Sequence, residues 1–283
     1  MKIGIIGVGV VGGAVRRGMQ KVGHEVSVYD VKLAETSLGD VLNSEVCFIC
    51  VPTKTNENGE NDVSIVETTL RELAKNNYKG VVVIKSTALP GTTDKFTQQF
   101  KDLRLAFCPE FLRERYAEID FTENMDVCPI GAYNDNDFEL IKKAHGNLPQ
   151  NVSKLTPKEA EFIKYFSNVF NALRVVFANE FFDVCQAAGV NYQKVKECVV
   201  LRKNIPDVYL DCAENLRGFS GMCLPKDSLA FATFVQKIRP DLKLFETIVH
   251  ENKKFPKTVF DGMRGEDTPA QPHKTDASQN RNL

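Results

Sequence analysis

Short apolar runs rich in β-branched residues recur through the first half of the chain: KIGIIG, EVSVYD, EVCFICV, VVVIKS and LAFCP. Between them, near Gly12–Lys21, Val63–Asn76 and Thr92–Lys101, apolar residues fall at helical spacing. Short continuous apolar runs suit strands covered on both faces, and their alternation with amphipathic helices predicts a parallel, doubly wound sheet. VCPIGAY followed by DNDFELIKKAH extends the pattern by one unit.

The pattern changes at Leu155. Thr156-Pro157-Lys158-Glu159 combines a capping box with proline at the first helical position. No glycine or proline then interrupts the chain before Gly189, a natural stop. This long helix carries Phe162, Phe166, Val169, Phe170, Leu173, Val176, Phe177 and Phe181. A helix apolar on most of its circumference should be buried, between domains or between subunits. Val190–Val200 reads as a helix, Leu201–Met222 as irregular, and Lys226–Lys237 and Lys243–Lys254 as two last helices. The polar stretch RGEDTPAQPHKTDASQNRNL has no apolar period and reads as a disordered tail. The expected organisation is a doubly wound α/β domain over residues 1–152, an all-helical domain over 153–262, and a tail over 263–283.

Bulk composition narrows the function classes. A formal net charge of −1 over 283 residues supplies no attraction for nucleic acid or an anionic membrane. No apolar run approaches the roughly 20 residues that span a bilayer. MKIGIIGVGVVGG fits a folded first element better than a signal peptide, so a cytoplasmic protein with free thiols is expected. Seven of the eight cysteines have apolar or featureless neighbours in sequence. Cys47 and Cys50 form a C-x-x-C, but on a strand their side chains point to opposite faces. The histidines are scattered, and no metal site is expected.

Gly7-Val8-Gly9-Val10-Val11-Gly12 follows the strand KIGII and opens a helix, the context a dinucleotide fingerprint requires. Gly7 makes the tight turn, Gly9 lets backbone approach a pyrophosphate, and Gly12 permits close helix–strand packing. Asp30, eighteen residues after Gly12 and ending the second strand, suits an adenosine ribose and repels a 2′-phosphate. The first domain is therefore expected to be of the Rossmann type, with NAD as cofactor.

Several side chains further on could do chemistry. Lys164 and Asn168 project from one helix face, although Glu161 and Lys158 share that side, and a solvent-facing edge fits equally. Glu110 and Glu114 follow the strand LAFCP, and Thr87 closes VVVIKS; loops at carboxyl ends of strands line the ligand crevice of such sheets. A charged surface helix is the plainer explanation of the two carboxylates. Cys223, in GFSGMCLPKD, precedes a helix and has Lys226 and Asp227 close downstream. A helix N-terminus and an ammonium both favour thiolate, although a junction cysteine without a role is about as common.

Together these segments resemble the UDP-glucose/GDP-mannose dehydrogenase family over residues 1 to about 255. GVGVVG with Asp30 is similar to its cofactor turn, VPTKTNENGENDVSIVE to its V-P-T-P loop, and KSTALPGTT to its K-S-T-x-x-x-G-T segment. CPEFLRE, AEFIKYFSN and GFSGMCLPKD resemble its later motifs in the same order. The resemblance implies NAD-dependent oxidation of a nucleotide sugar, most readily UDP-glucose to UDP-glucuronate, in two hydride transfers through a cysteine thiohemiacetal and thioester. It makes Cys223 the nucleophile, Lys164 and Asn168 oxyanion donors, Asp227 and Thr87 water-positioning groups, and Glu114 part of the hydrolytic side. Gly7, Gly9, Val10, Val11, Gly12, Asp30, Pro52, Thr53 and Thr87 are implied to hold NAD. Glu110, Phe111, Leu112, Lys164, Asn168, Phe219 and Gly221 are implied to hold the sugar nucleotide. The helical domain is expected to serve substrate binding and dimerisation, and the apolar helix Thr156–Ala188 with the missing third domain suggests a homodimer with that helix at or near the interface.

Three departures accompany the match, one being that NIPDVYLDCAENLRG stands where the family has an arginine in an R-I-G setting, with Arg217 an open substitute. Full-length members carry a further nucleotide-binding domain, so part of the nucleotide grip is expected to come from elsewhere. Ser220 stands where the family has glycine, and a positive φ there would strain serine by about 1 kcal/mol or more. Two other readings stay open at this point. One is a β-hydroxyacid-type dehydrogenase making one oxidation; the other is an NAD-binding module without turnover.

Overall fold

The computed structural model describes residues 1–56 and 58–255. The expected tail over 263–283, and the last residues of the expected helical domain, lie outside this range. Two compact units form among the described residues: Met1–Leu173 with Cys223–His250, and Arg174–Met222 with Glu251–Phe255.

The first unit is built on a seven-stranded sheet in the order β2-β1-β3-β6-β7-β8-β9. Its strands are β1 (Lys2–Ile6), β2 (Glu25–Tyr29), β3 (Val46–Ile49), β6 (Val81–Ile84), β7 (Arg104–Phe107), β8 (Val127–Ala132) and β9 (Asn151–Leu155). A short hairpin, β4 (Lys54–Thr55) and β5 (Asn61–Asp62), stands apart from it. Helices α1 (Val10–Val22), α2 (Ser64–Lys75), α3 (Thr92–Gln99), α4 (Ala117–Thr122) and α5 (Asp135–His145) alternate with the strands. Within the seven-stranded sheet all pairings are parallel except β7 with β8, where Phe107 faces Gly131.

The doubly wound fold is therefore as expected, with one antiparallel junction and one extra edge strand. Residue 152, the expected limit of the first domain, lies inside β9. The strands β3 and β6 are buried at every position, which explains their unbroken apolar runs. Their alternate residues feed two cores: Val46, Phe48, Val81 and Val83 pack on one side of the sheet, Cys47, Ile49, Val82 and Ile84 on the other. Cys47 and Cys50 accordingly pack in opposite cores.

Helix α6 (Pro157–Ala187) begins in the first unit and ends in the second. Its capping box forms as expected: the Glu159 amide donates to Thr156 Oγ1 at 3.3 Å, and the Thr156 amide donates to Glu159 Oε2 at 2.7 Å. Within one chain this helix is buried on one side only, so burial between subunits is the part of the expectation left open. Phe166 is 75% exposed, and Phe162, Phe170, Phe177 and Phe181 are exposed as well, while Val169 and Val176 are buried.

In the second unit, α7 (Tyr192–Val199) packs Tyr192 against Phe182 of α6, with ring centroids 5.7 Å apart. Ala178, Cys185 and Cys212 complete a small core. The irregular segment after α7 is fastened by polar contacts. Buried Lys196 pairs with Asp207 and Asp211, and Arg217 reaches Asp183 and Asn179. Helices α8 (Leu224–Ile238) and α9 (Leu244–Asn252) lie close to their expected limits.

Candidate active site

The glycine turn folds as the spacing requires. Gly7 has φ +88°, and a Cβ there would stand 2.8 Å from the Cys50 carbonyl oxygen. A Cβ on Gly12 would come within 1.8 Å of the Gly7 oxygen, so only glycine lets α1 start so close to β1. Gly9 caps α1 and has open space where a side chain would project. That opening at a helix N-terminus fits a pyrophosphate. The Asp30 carboxylate accepts hydrogen bonds from the Val8 amide at 2.7 Å and the Lys32 amide at 2.9 Å. These donors hold its pKa below the usual carboxylate value, leaving an anion at the end of β2. Val10 is half exposed beside the turn, and Val11 packs inward on the core.

Two further loops leave neighbouring strands. Pro52 and Thr53 follow β3, and Thr87 follows β6, half-buried. Ser86 Oγ donates to the Val51 carbonyl at 2.7 Å, which ties these loops together. Beyond Thr53, Thr55 Oγ1 donates to the Lys226 carbonyl at 3.1 Å, bringing the β4 hairpin against the first turn of α8.

The first half of α6 presents a buried polar face. Lys164 is 4% exposed; its Nζ donates to the Glu110 carbonyl at 2.6 Å and to Glu110 Oε1 at 3.0 Å. Burial works against both charges. The mutual attraction prevails, so the Glu110 carboxyl is held below its usual range and the Lys164 ammonium above its own. One turn on, Asn168 Nδ2 donates to Asp227 Oδ2 at 2.6 Å, and Lys226 pairs with the other Asp227 oxygen. Asp227 is 1% exposed. The solvent-edge alternative for Lys164 is thereby excluded. A charge at these depths persists only when paired and hydrogen-bonded.

Glu161 was not anticipated as part of this group. It is fully buried, and its carboxylate accepts from the Gly91 amide at 2.6 Å, the Thr93 amide at 2.8 Å and Thr93 Oγ1 at 2.7 Å. These donors open α3, so Glu161 fastens the loop that carries Thr87 to the helix that carries Lys164. Burial outweighs the donated hydrogen bonds and raises its pKa to about 7. The sequence signal was present in its three-residue spacing from Lys164, but Lys158 on the same side suggested solvent.

Cys223 immediately precedes α8, and the Asp227 amide bonds its carbonyl at 2.9 Å. The expectation of a lowered thiol pKa is corrected. Burial pushes the Cys223 thiol up; Lys164 and Lys226 pull it down, while Glu110 and Asp227 reinforce the rise. The residue is exposed by area, yet the protein packed round it outweighs the nearby ammonium groups. The sulfur thus shares its surroundings with Lys164, Glu110, Asp227 and Lys226, brought together from α6, the β7 loop and α8.

The remaining expected residues are less closely drawn in. Phe111 is half-buried with Lys164 Nζ 5.6 Å from its ring centroid, and the Leu112 amide donates to Glu110 Oε2 at 2.7 Å. Glu114 is exposed on a 3-10 turn outside this hydrogen-bonded group. Phe219 and Gly221 belong to the second unit, where the Phe219 amide and carbonyl both bond the Asn252 side chain. The strain expected at Ser220 is absent. Positive φ falls instead on Gly218 and Gly221, and among described residues only Asn77 and Tyr209 combine a side chain with positive φ.

Residues 32–148 match the NAD binding domain of the UDP-glucose/GDP-mannose dehydrogenase family, and residues 158–254 match that family's central domain. A UDP-glucose 6-dehydrogenase of Rickettsia bellii is 31% identical over 230 residues, covering 78% of this chain and 52% of the relative. A GDP-mannose 6-dehydrogenase of Pseudomonas aeruginosa is 27% identical over 317 aligned positions, covering 95% of this chain and 72% of the relative. The solved UDP-glucose dehydrogenase from the hyperthermophilic archaeon Pyrobaculum islandicum superposes with a TM-score of 0.82 at 28% identity. That match covers 89% of this chain and 68% of the other. The chain thus spans about half the length of the Rickettsia relative.

Proposed function

The chain belongs to the UDP-glucose/GDP-mannose dehydrogenase family, and on that premise we propose that it oxidises a nucleotide sugar's primary alcohol to a carboxylate. UDP-glucose, giving UDP-glucuronate, is the first substrate to test. The observation that carries the reading is the convergence of Lys164, Glu110, Asn168 and Asp227 on the helix turn that Cys223 opens.

NAD, when bound, accepts the hydride in each of the two oxidations. Gly7, Gly9, Val10, Val11, Gly12 and Asp30 would hold it at the head of α1, with Pro52, Thr53 and Thr87 on the adjoining loops. Glu110, Phe111, Leu112, Phe219 and Gly221 would contact the sugar nucleotide. Lys164 and Asn168 donate to the substrate oxygen once it displaces their present acceptors, and they stabilise the negative charge that develops there. The first oxidation leaves an aldehyde, and Cys223 sulfur adds to its carbonyl carbon to form a thiohemiacetal. Because burial raises the thiol pKa, the sulfur gives up its proton during attack rather than standing as thiolate. The second oxidation converts the thiohemiacetal to a thioester. Water, positioned by Asp227 and Thr87, then releases the carboxylic acid and restores the thiol. Glu114 would act in that hydrolysis from the loop after β7.

Exposed Phe162, Phe166 and Phe170 support pairing of two copies through α6, because large apolar patches on a lone chain mark interaction surfaces. Counting NADH formed per sugar consumed, over UDP- and GDP-sugars, tests the central reading. Two NADH per sugar support it. One per sugar indicates a single oxidation, and none despite intact NAD binding indicates a module without turnover.

A further inference from the structure

Beneath the carboxyl ends of β6 and β7, four groups that an apolar core does not need face one another. Lys85 follows β6, Cys108 follows β7, Cys128 lies on β8 and His145 ends α5; none is more than 3% exposed. The two sulfurs are 3.7 Å apart, and both lie within 4.8 Å of a ring nitrogen of His145. Metal–thiolate bonds of about 2.3 Å place two sulfurs on one centre roughly 3.7–4.0 Å apart. The sulfurs therefore already have the separation a shared ion requires, and the imidazole needs a shift of about 1 Å at most.

His145 is held in the tautomer that binds metals. Its Nδ1 is 2.9 Å from the Ile141 carbonyl oxygen, which can only accept, so Nδ1 carries the proton. Nε2 is then the ring nitrogen left to offer a lone pair, and this fully buried atom has no hydrogen-bond partner. A buried acceptor left unmatched costs about 1–3 kcal/mol. Metal-ligating imidazoles characteristically donate their other ring N–H to a backbone carbonyl or carboxylate.

Lys85 decides which ion fits. Its Nζ donates to the Cys108 carbonyl at 3.0 Å and to Cys108 Sγ at 3.3 Å, and it lies 5.6 and 5.7 Å from the Phe48 and Phe121 ring centroids. Cysteine sulfurs bind a metal as thiolates. With the Lys85 ammonium hydrogen-bonded to Cys108 Sγ, two thiolate ligands leave the group with one net negative charge, which a monovalent cation balances. A divalent ion would leave an uncompensated positive charge among aromatic rings, and buried net charge is strongly disfavoured.

We propose that Cys108, Cys128 and His145 form a binding site for a monovalent soft cation, Cu(I), with Lys85 setting the charge of the ion accepted. Thiolate and imidazole are the ligands that suit Cu(I). Binding forms Cu–S bonds at Cys108 and Cys128, any proton still on either thiol passes to solvent, and no electron is transferred. The proposal stands apart from the reading of Cys223, since none of its ligands takes part in the oxidation.

The test uses the full chain with its two exposed thiols replaced, Cys198→Ser and Cys223→Ser. Cu(I) is supplied without oxygen from a bicinchoninate complex, whose colour reports the copper withdrawn. One Cu(I) bound per chain is expected. Copper X-ray absorption of the loaded chain should show two sulfurs and one nitrogen. Adding Cys128→Ala should weaken binding by more than the roughly 10–100-fold that loss of a supporting partner costs. Its melting temperature in the absence of copper checks that the variant folds. Adding Lys85→Met should turn the preference from Cu(I) to Zn(II). The proposal is overturned if no copper leaves the chelator or if binding survives Cys128→Ala unchanged. It is likewise overturned if nitrogen is missing from the copper shell, or if the chain with Lys85 intact holds Zn(II) as tightly as Cu(I).

Discussion

Glu161, Lys164 and Asn168 run along one side of α6, and Phe162, Phe166 and Phe170 run along the other. At about 100° per residue the two stripes face nearly opposite ways. The polar stripe is buried to 8% exposure or less, while Phe166 is 75% exposed. An ordinary surface helix shows the reverse arrangement. Each buried polar group is matched to a different element: Glu161 to the start of α3, Lys164 to the loop after β7, Asn168 to the first turn of α8. The aromatic stripe has no comparable set of polar ties. The contrast teaches that burial on this helix follows its polar ties to other elements, while its exposed rings carry the pairing proposed above.

If that is correct, damage to the two stripes should differ in kind. The largest effect is expected at Lys164. Lys164→Met leaves the Glu110 carboxylate buried without its partner and should cost about 3–5 kcal/mol in denaturant unfolding. The double variant with Glu110→Gln should recover part of that loss, because it removes the stranded charge as well.

Glu161 comes next, with an effect that depends on pH. Glu161→Ala abandons three donors and should cost about 1–3 kcal/mol. The folded pKa of Glu161 is about 7, raised from an ordinary 4.5, so folding takes up a proton between these values. Its contribution is complete below about pH 4.5 and falls away as pH rises through 7. Glu161→Gln, which cannot titrate, should therefore gain on the wild type by about 2–3 kcal/mol between pH 5 and pH 8. Parallel unfolding curves at both pH values check this, and an unchanged difference would show that Glu161 does not titrate there.

The smallest effect on folding is expected on the aromatic stripe. Phe166→Asp should shift unfolding by no more than about 0.5 kcal/mol, as exposed positions usually do. The same change should lower the mass seen by light scattering from two chains to one. Equal masses for wild type and variant would remove the argument for pairing through α6.

What the sequence disclosed follows from how local each feature is. The glycine turn and Asp30 were legible because strand, turn and helix lie in one short stretch, and their spacing alone fixes their geometry. The Thr156–Glu159 capping box was legible for the same reason. Strand β9 was not, because NVSKL lies at a sheet edge and is mostly exposed, so it carries no apolar run. The antiparallel turn of β8 was hidden too, since a strand's own residues do not state its direction. Lys164 could be read as solvent-facing or buried, because helical spacing gives the face and not what covers it. The trio of Cys108, Cys128 and His145 depends on three separate elements meeting, which no local pattern announces. Ser220 carries no strain because the left-handed conformations fall on the glycines on either side of Phe219 and Ser220, which a single position's residue type does not disclose.

The central claim is that Cys223 carries the substrate carbon between the two oxidations. The direct measurement replaces Cys223 with alanine and follows the uronic acid by mass spectrometry, with NAD affinity measured alongside. Loss of acid product with NAD affinity nearly unchanged is the expected result. Acid formed at the wild-type rate by the alanine variant would contradict the covalent mechanism.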